Sequence, residues 1–353
     1  MSSNRDNKNI YKSLLPLAWL YNAGVWTRNK LFDRGILSVE EFSIPIISVG
    51  NLTVGGTGKT PMIAYLIELL SPHKRVAVLS RGYRRKSKGF RLASQQTTAQ
   101  EIGDEPYQLY CKYPHVVVAV DGNRRRGIEM LLQLSCPPEV ILLDDAHQHR
   151  HVRPSLSIVL CDYNRPIYND LPLPAGRLRE PMSGLKRADV VVLTKTPRPL
   201  SQEELRKEAE AMHYPIEDLF ASHIEYDTIY HLVSKKEMPT LSIEKQQEII
   251  VLCGIVNPQP MIDYLSHYSN RISLHAHPDH HYFTATELQQ IGTEAAQHNA
   301  IIVTTEKDAA RLHIPTLPKE VAQRCYVLPM HTVIETQANN RSFDAIVKEI
   351  AGI

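Results

Sequence analysis

Gly55, Gly56, Thr57, Gly58, Lys59 and Thr60 stand together in the run GNLTVGGTGKTPM. Residues of these types in this order are suited to gripping phosphate. The glycines let backbone N–H groups turn inward around phosphate oxygens, Lys59 brings a cation to the β- and γ-phosphates, and the Thr60 hydroxyl can bind magnesium. The apolar run Ile44–Val49 leads in and Met62–Leu70 leads out. The loop should therefore join a strand to a helix whose positive end adds to the site, and Pro61 suits the first helical turn. The strict spacing wants glycine at position 53, where this chain has Thr53. A phosphate loop also needs a metal-binding acid on a neighbouring strand. Val140–Leu143 followed by Asp144 and Asp145 meets that need, with both carboxylates where the strand ends. The two motifs predict a magnesium-dependent, NTP-using enzyme and leave the acceptor unnamed.

The elements that must position these groups recur along the chain. Ile44–Val49, Val76–Leu79, Val116–Val120, Val140–Leu143, Ile158–Leu160 and Val190–Leu193 are continuous apolar runs separated by helical stretches, the last of which, Arg198–Glu210, is polar. Continuous rather than alternating runs fit parallel strands buried on both faces. A second set follows at Ile249–Cys253, Ile272–Leu274, Ile301–Thr304 and Cys325–Leu328. The expected fold class is α/β: a P-loop NTPase-like, mainly parallel sheet domain over 39–220 and a smaller α/β domain over 221–353, with a ligand site natural between them. Residues 1–38 form a third segment. Ser13–Thr27 carries no charge, and its fifteen residues are too few for a spanning helix. Trp19 and Trp26 lie seven apart on one helical face, and Lys8, Lys12, Arg28, Lys30 and Arg34 bracket the run. That pattern predicts a helix in a membrane interface, against the plainer alternative of an amphipathic helix packed on its own domain.

Composition narrows the field. With 43% hydrophobic and 22% charged residues, the 353-residue chain is not a disordered one. A net charge of +2 gives no case for a nucleic-acid partner. The five cysteines are scattered and form no C-x-x-C pair, which argues against a disulfide framework or a thiolate zinc site and suits a reducing compartment.

A rival reading comes from HAHPDHH at 275–281, in which His275, His277, Asp279 and His280 have the spacing of a zinc motif found in metallo-β-lactamase-fold hydrolases. Too little chain follows for the rest of such a fold, the glycine that usually follows is missing, and the phosphate loop would be left unexplained. The alternating histidines His147, His149 and His151 are expected on an exposed extended segment.

Several pieces converge on one family. SVGNLTVGGTGKTP, SRGYRR (80–85), GDEP (103–106), DGNRRRG (121–127), LLDDAHQHR (142–150), PAGRLREP (174–181), GIVNPQP (254–260), PDHHYF (278–283) and TTEKDAARL (304–312) occur in order. Across roughly residues 10 to 315 the chain resembles the tetraacyldisaccharide 4'-kinases, the lipid A 4'-kinases of Gram-negative bacteria. The resemblance implies a P-loop kinase that transfers the γ-phosphate of ATP to the 4'-hydroxyl of tetraacyldisaccharide 1-phosphate. It implies a peripheral or monotopic place at the cytoplasmic face of the inner membrane, through the N-terminal helix; the charge balance argues for no nucleic acid, and no obligate protein partner is inferred.

Carried over by position, Lys59 and Thr60 match the family's phosphate and magnesium residues, and Asp144 and Asp145 its acidic pair. Asp104 resembles the catalytic Asp, and His280 the His proposed to work with it. Such a carboxylate would orient a sugar hydroxyl and accept its proton late, with the histidine fixing its orientation and domain closure bringing the two together. On its residues alone Asp104 reads as a helix N-cap. Arg177, Arg179 and Glu180 are implied to contact phosphate or acceptor, as are Arg81 and Tyr83 at the end of the second strand. Arg124, Arg125 and Arg126 are candidates for the acceptor's 1-phosphate or a solvated basic loop, and Glu306 and Lys307 for a structural ion pair. Two departures stand out: Ala146-His147 replaces the commoner Gly-Phe, and Val256 replaces a glycine. The alternative function is a P-loop NTPase coupling hydrolysis to assembly or metal insertion.

Overall fold

Up to Thr194 the apolar runs become strands buried along almost all of their length, because parallel strands flanked by helices have no solvent face. Arg271–Ala276, at a sheet edge, stays partly exposed. A computed structural model describes residues 10–239, 242–243, 245–255, 257–278, 281–312, 316–335 and 341–353. In chain order the strands of the larger unit begin with β1 (Ile46–Asn51), β2 (Val76–Ser80), β3 (Arg91–Leu92), β4 (Val117–Val120), β5 (Val140–Asp144), β6 (Leu156–Asp162), β7 (Val190–Thr194) and β8 (Leu219–Tyr226). Those of the smaller unit are β9 (Ile229–His231), β10 (Glu237–Met238), β11 (Glu248–Cys253), β12 (Arg271–Ala276), β13 (Ile301–Thr305) and β14 (Cys325–Leu328). β15 (Met330–Ile334) returns to the larger sheet, whose order is β15-β8-β7-β6-β1-β5-β2-β4-β3.

From β8 across to β4 every pairing is parallel, and β3 closes the edge antiparallel to β4. The phosphate-loop strand β1 lies between β5 and β6, and β5 separates it from β2. The C-terminal ends of β1, β5, β2, β6 and β7 thus share one edge, where ligands of open α/β sheets are held. Ile128 and Leu131 of the helix Arg124–Leu132 pack on Ala77, Leu79, Ile141 and Leu143, while Leu205, Ala209 and Met212 of the helix Gln202–Met212 pack with Val159, Val191 and Leu193. Each of these valine, leucine, isoleucine and methionine side chains stabilises the fold by about 1.5–3 kcal/mol when fully buried.

The smaller sheet has the order β10-β9-β14-β13-β11-β12, with β12, β11, β13 and β14 parallel. Its strands divide their side chains between two cores. Ile250, Leu252 and Ile302 meet Leu288, Ile291 and Ala295, whereas Ile249, Val251 and Val303 meet Met261 and Leu265.

The two compact units are not contiguous in sequence. The larger holds the chain to Gln96, Tyr113–Ile224 and Thr332–Ile353; the smaller holds Thr97–Lys112 and Glu225–His331. The division expected from the sequence, 39–220 and 221–353, differs in two places. The helix Asp104–Lys112 belongs to the smaller unit, held by Lys112 to Glu306 at 3.1 Å and by Asp104 to Arg311 at 3.2 Å. The C-terminal helix Phe343–Ala351 belongs to the larger, where the Phe343 ring meets Phe220 at 5.6 Å and Tyr65 at 5.9 Å, and Asp344 accepts from the Tyr65 hydroxyl at 2.5 Å. Both placements rest on contacts between residues far apart in the chain, which no local pattern encodes.

Candidate active site

β1 runs through Leu52–Gly58 into the helix Lys59–Leu70, the strand–loop–helix arrangement expected for a phosphate loop. Gly55 (φ +111°) and Gly58 (φ +87°) adopt the left-handed backbone that turns the loop, and a side chain at either would strain it. Thr57 is buried and pinned from two sides: Asn51 donates to its hydroxyl at 2.7 Å, and the Thr194 hydroxyl donates to its carbonyl at 2.8 Å. Gly55 and Gly56 remain exposed. The departure from the strict motif has a structural reason. Thr53 forms a bridge with Leu178, flanked by Val54 N–H to the Arg177 carbonyl at 2.9 Å and Arg179 N–H to the Leu52 carbonyl at 2.7 Å. The loop's first half is extended backbone, which a threonine adopts without cost.

The acids lie on the adjacent strand. Asp144 closes β5, almost fully buried, and accepts from the Ser80 hydroxyl at 2.8 Å. Asp145 follows in a left-handed conformation (φ +51°), which turns its carboxylate to Lys59 Nζ at 3.6 Å and to Arg179 at 2.9 and 3.1 Å. Burial is the strongest single influence on the Asp145 carboxyl and opposes its charge. Lys59, Arg179 and Arg124 together outweigh it and hold the group below the usual carboxylate range. The Thr60 hydroxyl with these carboxylates makes an all-oxygen donor set, which fits Mg2+.

Arg124 does not offer itself to a ligand. It is fully buried, donates to the carbonyls of Asp121 and of Asp144 (2.9 Å to the latter), and is pushed down to about 10 by burial. It fixes the turn carrying the acids. Arg126 makes a bidentate pair with Asp121 at 2.8 Å, and Arg125 reaches Ser38 at 3.3 Å.

Glu180, expected to contact substrate, is 2% exposed and accepts from Arg187 at 2.6 Å, Gln148 at 3.0 Å and Asn29 at 3.2 Å. Arg177 pairs with the buried Asp170 at 3.2 Å. Arg81 and Tyr83 follow β2 and are exposed, with Arg84 over the Tyr83 ring at 5.3 Å. The N-terminal helix Leu15–Asp33 docks on the same loops. Tyr21 donates to the Arg179 carbonyl at 2.9 Å, Arg28 to the Gln148 carbonyl at 2.9 Å, and Arg150 to Asp33 at 2.7 Å. The histidine segment 147–151 is a correction to the sequence reading. It is a turn rather than an exposed extended segment, and His147 is buried with Nε2 3.2 Å from both the Gly184 carbonyl and Arg187. Burial, then Arg187, holds His147 down to about 4, so it is neutral at pH 7.

In the smaller unit, Asp104 opens the helix Asp104–Lys112. Its carboxylate accepts from the Tyr282 hydroxyl at 2.8 Å and pairs with Arg311 at 3.2 Å. Glu306 pairs with Lys112 at 3.1 Å. His280, Asp279 and Val256 lie outside the described residues. Of the zinc-like cluster, His277, His281 and Glu287 bring one ligand atom each to within 4.8 Å of one another. The two rings, however, stack 16° apart at 4.4 Å. Their in-plane lone pairs lie in separate, nearly parallel planes and do not converge on an ion that must lie about 2.0–2.1 Å from each nitrogen. His281 instead meets both Glu287 oxygens at 3.1 Å.

The tetraacyldisaccharide-1-P 4'-kinase family profile matches residues 10–348. The chain belongs to that family. It is similar to the tetraacyldisaccharide 4'-kinases of Phocaeicola vulgatus (45% identical over 91% of this chain and 90% of that one) and Flavobacterium johnsoniae (43%, 94% and 95%). Its fold matches the crystal structure of LpxK from Aquifex aeolicus in complex with ATP at a TM-score of 0.74, with 32% identity over 96% of this chain and 98% of that one. The family's activity is ATP-dependent phosphorylation of the 4'-hydroxyl of a tetraacylated disaccharide 1-phosphate, a lipid A precursor, and the chain is a kinase of that kind. The alternative of an NTPase coupled to assembly or metal insertion is not favoured.

Sequence reasoning missed Thr194 and Lys195. Lys195 (φ +60°) reaches across from the end of β7 to the Gly56 carbonyl and to Asp162 at 2.8 Å, bracing the phosphate loop. Their only signal was position, at the end of a strand on the ligand-binding edge.

Proposed function

We propose a division of labour within this phosphoryl transfer. The backbone of Gly55–Gly58 and the Lys59 ammonium hold the nucleotide phosphates. Thr60 and Asp144 hold the magnesium ion, which when bound supplies neutralisation of charge on the phosphate oxygens. Asp145 sets the cations: its carboxylate spaces Lys59 from Arg179, so that neither swings away while the site is empty. The observation that carries this reading is the Lys59–Asp145–Arg179 arrangement, with distances of 3.6 and 2.9 Å. Arg81 and Tyr83, exposed beyond β2, are assigned to the acceptor.

Asp104 is assigned to the acceptor hydroxyl, orienting it and receiving its proton late in transfer, with His280 as its helper. Phosphate transfer from labelled ATP to tetraacyldisaccharide 1-phosphate in detergent micelles tests the assignment. Asp104→Asn keeps the shape and removes the acceptor; it should lower kcat by about 10²–10⁴ with KM for ATP little changed. Turnover near wild type would sink the role.

We assign the N-terminal helix to the cytoplasmic face of the inner membrane, where ATP is available. Among the described residues no helix is long and apolar enough to cross a membrane. Trp19 and Trp26 are nonetheless 70% and 58% exposed, beside exposed Leu17 and Leu20, and Lys30 sits over the Trp26 ring at 6.0 Å. Aromatic rings with flanking cations suit the headgroup layer. Replacing Trp19 and Trp26 together by alanine should weaken co-sedimentation with anionic vesicles by about tenfold or more. Unchanged binding would leave the helix as packing for its own unit.

A further inference from the structure

We propose that Arg311, seconded by Tyr282, is a positioning residue that holds the Asp104 carboxylate ionised and aimed. The inference rests on the reading of Asp104 as proton acceptor and adds what makes it competent. Arg311 is 1% exposed at its side chain, yet no bulk solvent is needed to balance its charge. One arm of its guanidinium meets Asp104 Oδ2 at 3.2 Å and the other meets Asp308 Oδ1 at 3.1 Å. Asp308 is itself fully buried and fixed, because its Oδ2 accepts from Gly254 N–H at 3.0 Å and from the Thr305 hydroxyl at 2.7 Å. A rigid chain thus runs from the ends of β11 and β13 through Asp308 and Arg311 to Asp104. A planar fork caught between two carboxylates fixes direction as well as charge.

The other carboxylate oxygen, Oδ1, accepts from the Tyr282 hydroxyl at 2.8 Å. Burial and then the Asp104 carboxylate push that phenol up to about 12, so it stays a donor throughout the neutral range. The remaining titratable groups on Asp104's own helical segments are Glu101, Glu105, Tyr107, Tyr110, Cys111 and Lys112. The helix Glu306–Ala309 and its following turn bring Glu306, Lys307, Asp308 and Arg311, and the stretch before the helix Ala285–Gln297 brings His281 and Tyr282. Among these, Arg311 contacts Asp104 directly, and Lys112 pairs with Glu306. An acceptor carboxylate must be ionised before the proton arrives, and an opposite charge in contact favours that form.

The test measures kcat and KM against pH, with thermal unfolding, for wild type, Asp104→Asn, Arg311→Lys, Arg311→Gln and Tyr282→Phe. Arg311→Gln should lower kcat about 100-fold and move the acidic limb of kcat up by about one pH unit, with KM for ATP within about twofold. Arg311→Lys keeps the charge but not the fork; it should return the limb towards wild type while kcat stays about tenfold low. Tyr282→Phe touches a half-exposed side chain and leaves the buried ions in place, so it reads the same carboxylate without risk to folding. Its limb should move up by a few tenths of a unit with kcat several-fold lower. Should Arg311→Gln not fold, Tyr282→Phe and Arg311→Lys decide. Acidic limbs that stay in place while Asp104→Asn is inactive would overturn the positioning role. An active Asp104→Asn would instead overturn the proton-acceptor reading beneath it.

Discussion

Lys59→Ala should lower kcat by about 10²–10³, the loss typical when one preorganised charge facing a transition state is removed. Lys59 is the first residue of its helix, and its side chain is only 13% exposed. Water therefore cannot replace it freely when the side chain is cut. The deletion also leaves Asp145 facing Arg179 alone, so a negative charge survives where phosphate must come. Lys59→Arg should recover little, because a guanidinium fork does not fit where a compact ammonium sits beside both loop and carboxylate. Steady-state phosphate transfer checks this directly. The signature is a fall in kcat and kcat/KM together; a raised KM for ATP at unchanged kcat would mean that Lys59 binds ground state and transition state alike.

Gly50→Ala should unfold the catalytic edge. A Cβ at residue 50 would lie 2.5 Å from His147 Cβ and 2.8 Å from the His147 backbone nitrogen. Neither neighbour can step aside. Gly50 is in β1, paired in register with Val159 of β6, and the turn bearing His147 is held by Ala146 N–H to the Val49 carbonyl at 3.3 Å. Relief requires moving the turn that carries Asp144 and Asp145, so stability and activity should fall together. The expected loss is about 3 kcal/mol or more, the upper range for overpacking. That corresponds to a Tm lower by roughly 6–12 °C in a domain of this size. Gly24→Ala serves as the control, since a Cβ there meets nothing within 4 Å in the helix Leu15–Asp33 and should be neutral or slightly stabilising. A Gly50 variant as stable as that control would mean that the turn yields more easily than its hydrogen bonds suggest.

The phosphate loop and the strands were legible because each is a local statement. Ile47, Val49, Leu142 and Leu143 must all be buried, so the chain writes them as uninterrupted apolar runs. The loop's glycines answer to backbone angles set within a few residues, and the acids stand where the apolar run of β5 stops. Thr53 misled a strict reading of the motif for a reason that is not local. The partner that makes its extended backbone acceptable, Leu178, is distant in the chain.

Arginines were the least legible residues. Arg124, Arg126, Arg177, Arg179 and Arg311 look alike in sequence, and all are long cations that either ligand or protein can claim. Their roles follow from which carboxylate or carbonyl lies within reach: Asp144 for Arg124, Asp170 for Arg177, Asp145 for Arg179, and Asp104 with Asp308 for Arg311. The setting of Glu180 was hidden for the same reason, since Asn29, Gln148 and Arg187 reach it from three separate segments.

By itself, then, the sequence determined the α/β class, the order of its strands along the chain, the glycine-rich turn between a strand and a helix, the acids at the end of β5, and through its ordered motifs the family of kinases to which the chain belongs. Only the tertiary structure decided that the helix Asp104–Lys112 is part of the smaller unit, that the C-terminal helix returns to the larger, and which cation each carboxylate keeps. Backbone conformation and apolar periodicity are encoded within a few residues. Ion pairs and domain membership depend on distances between segments that become neighbours only when the chain has folded.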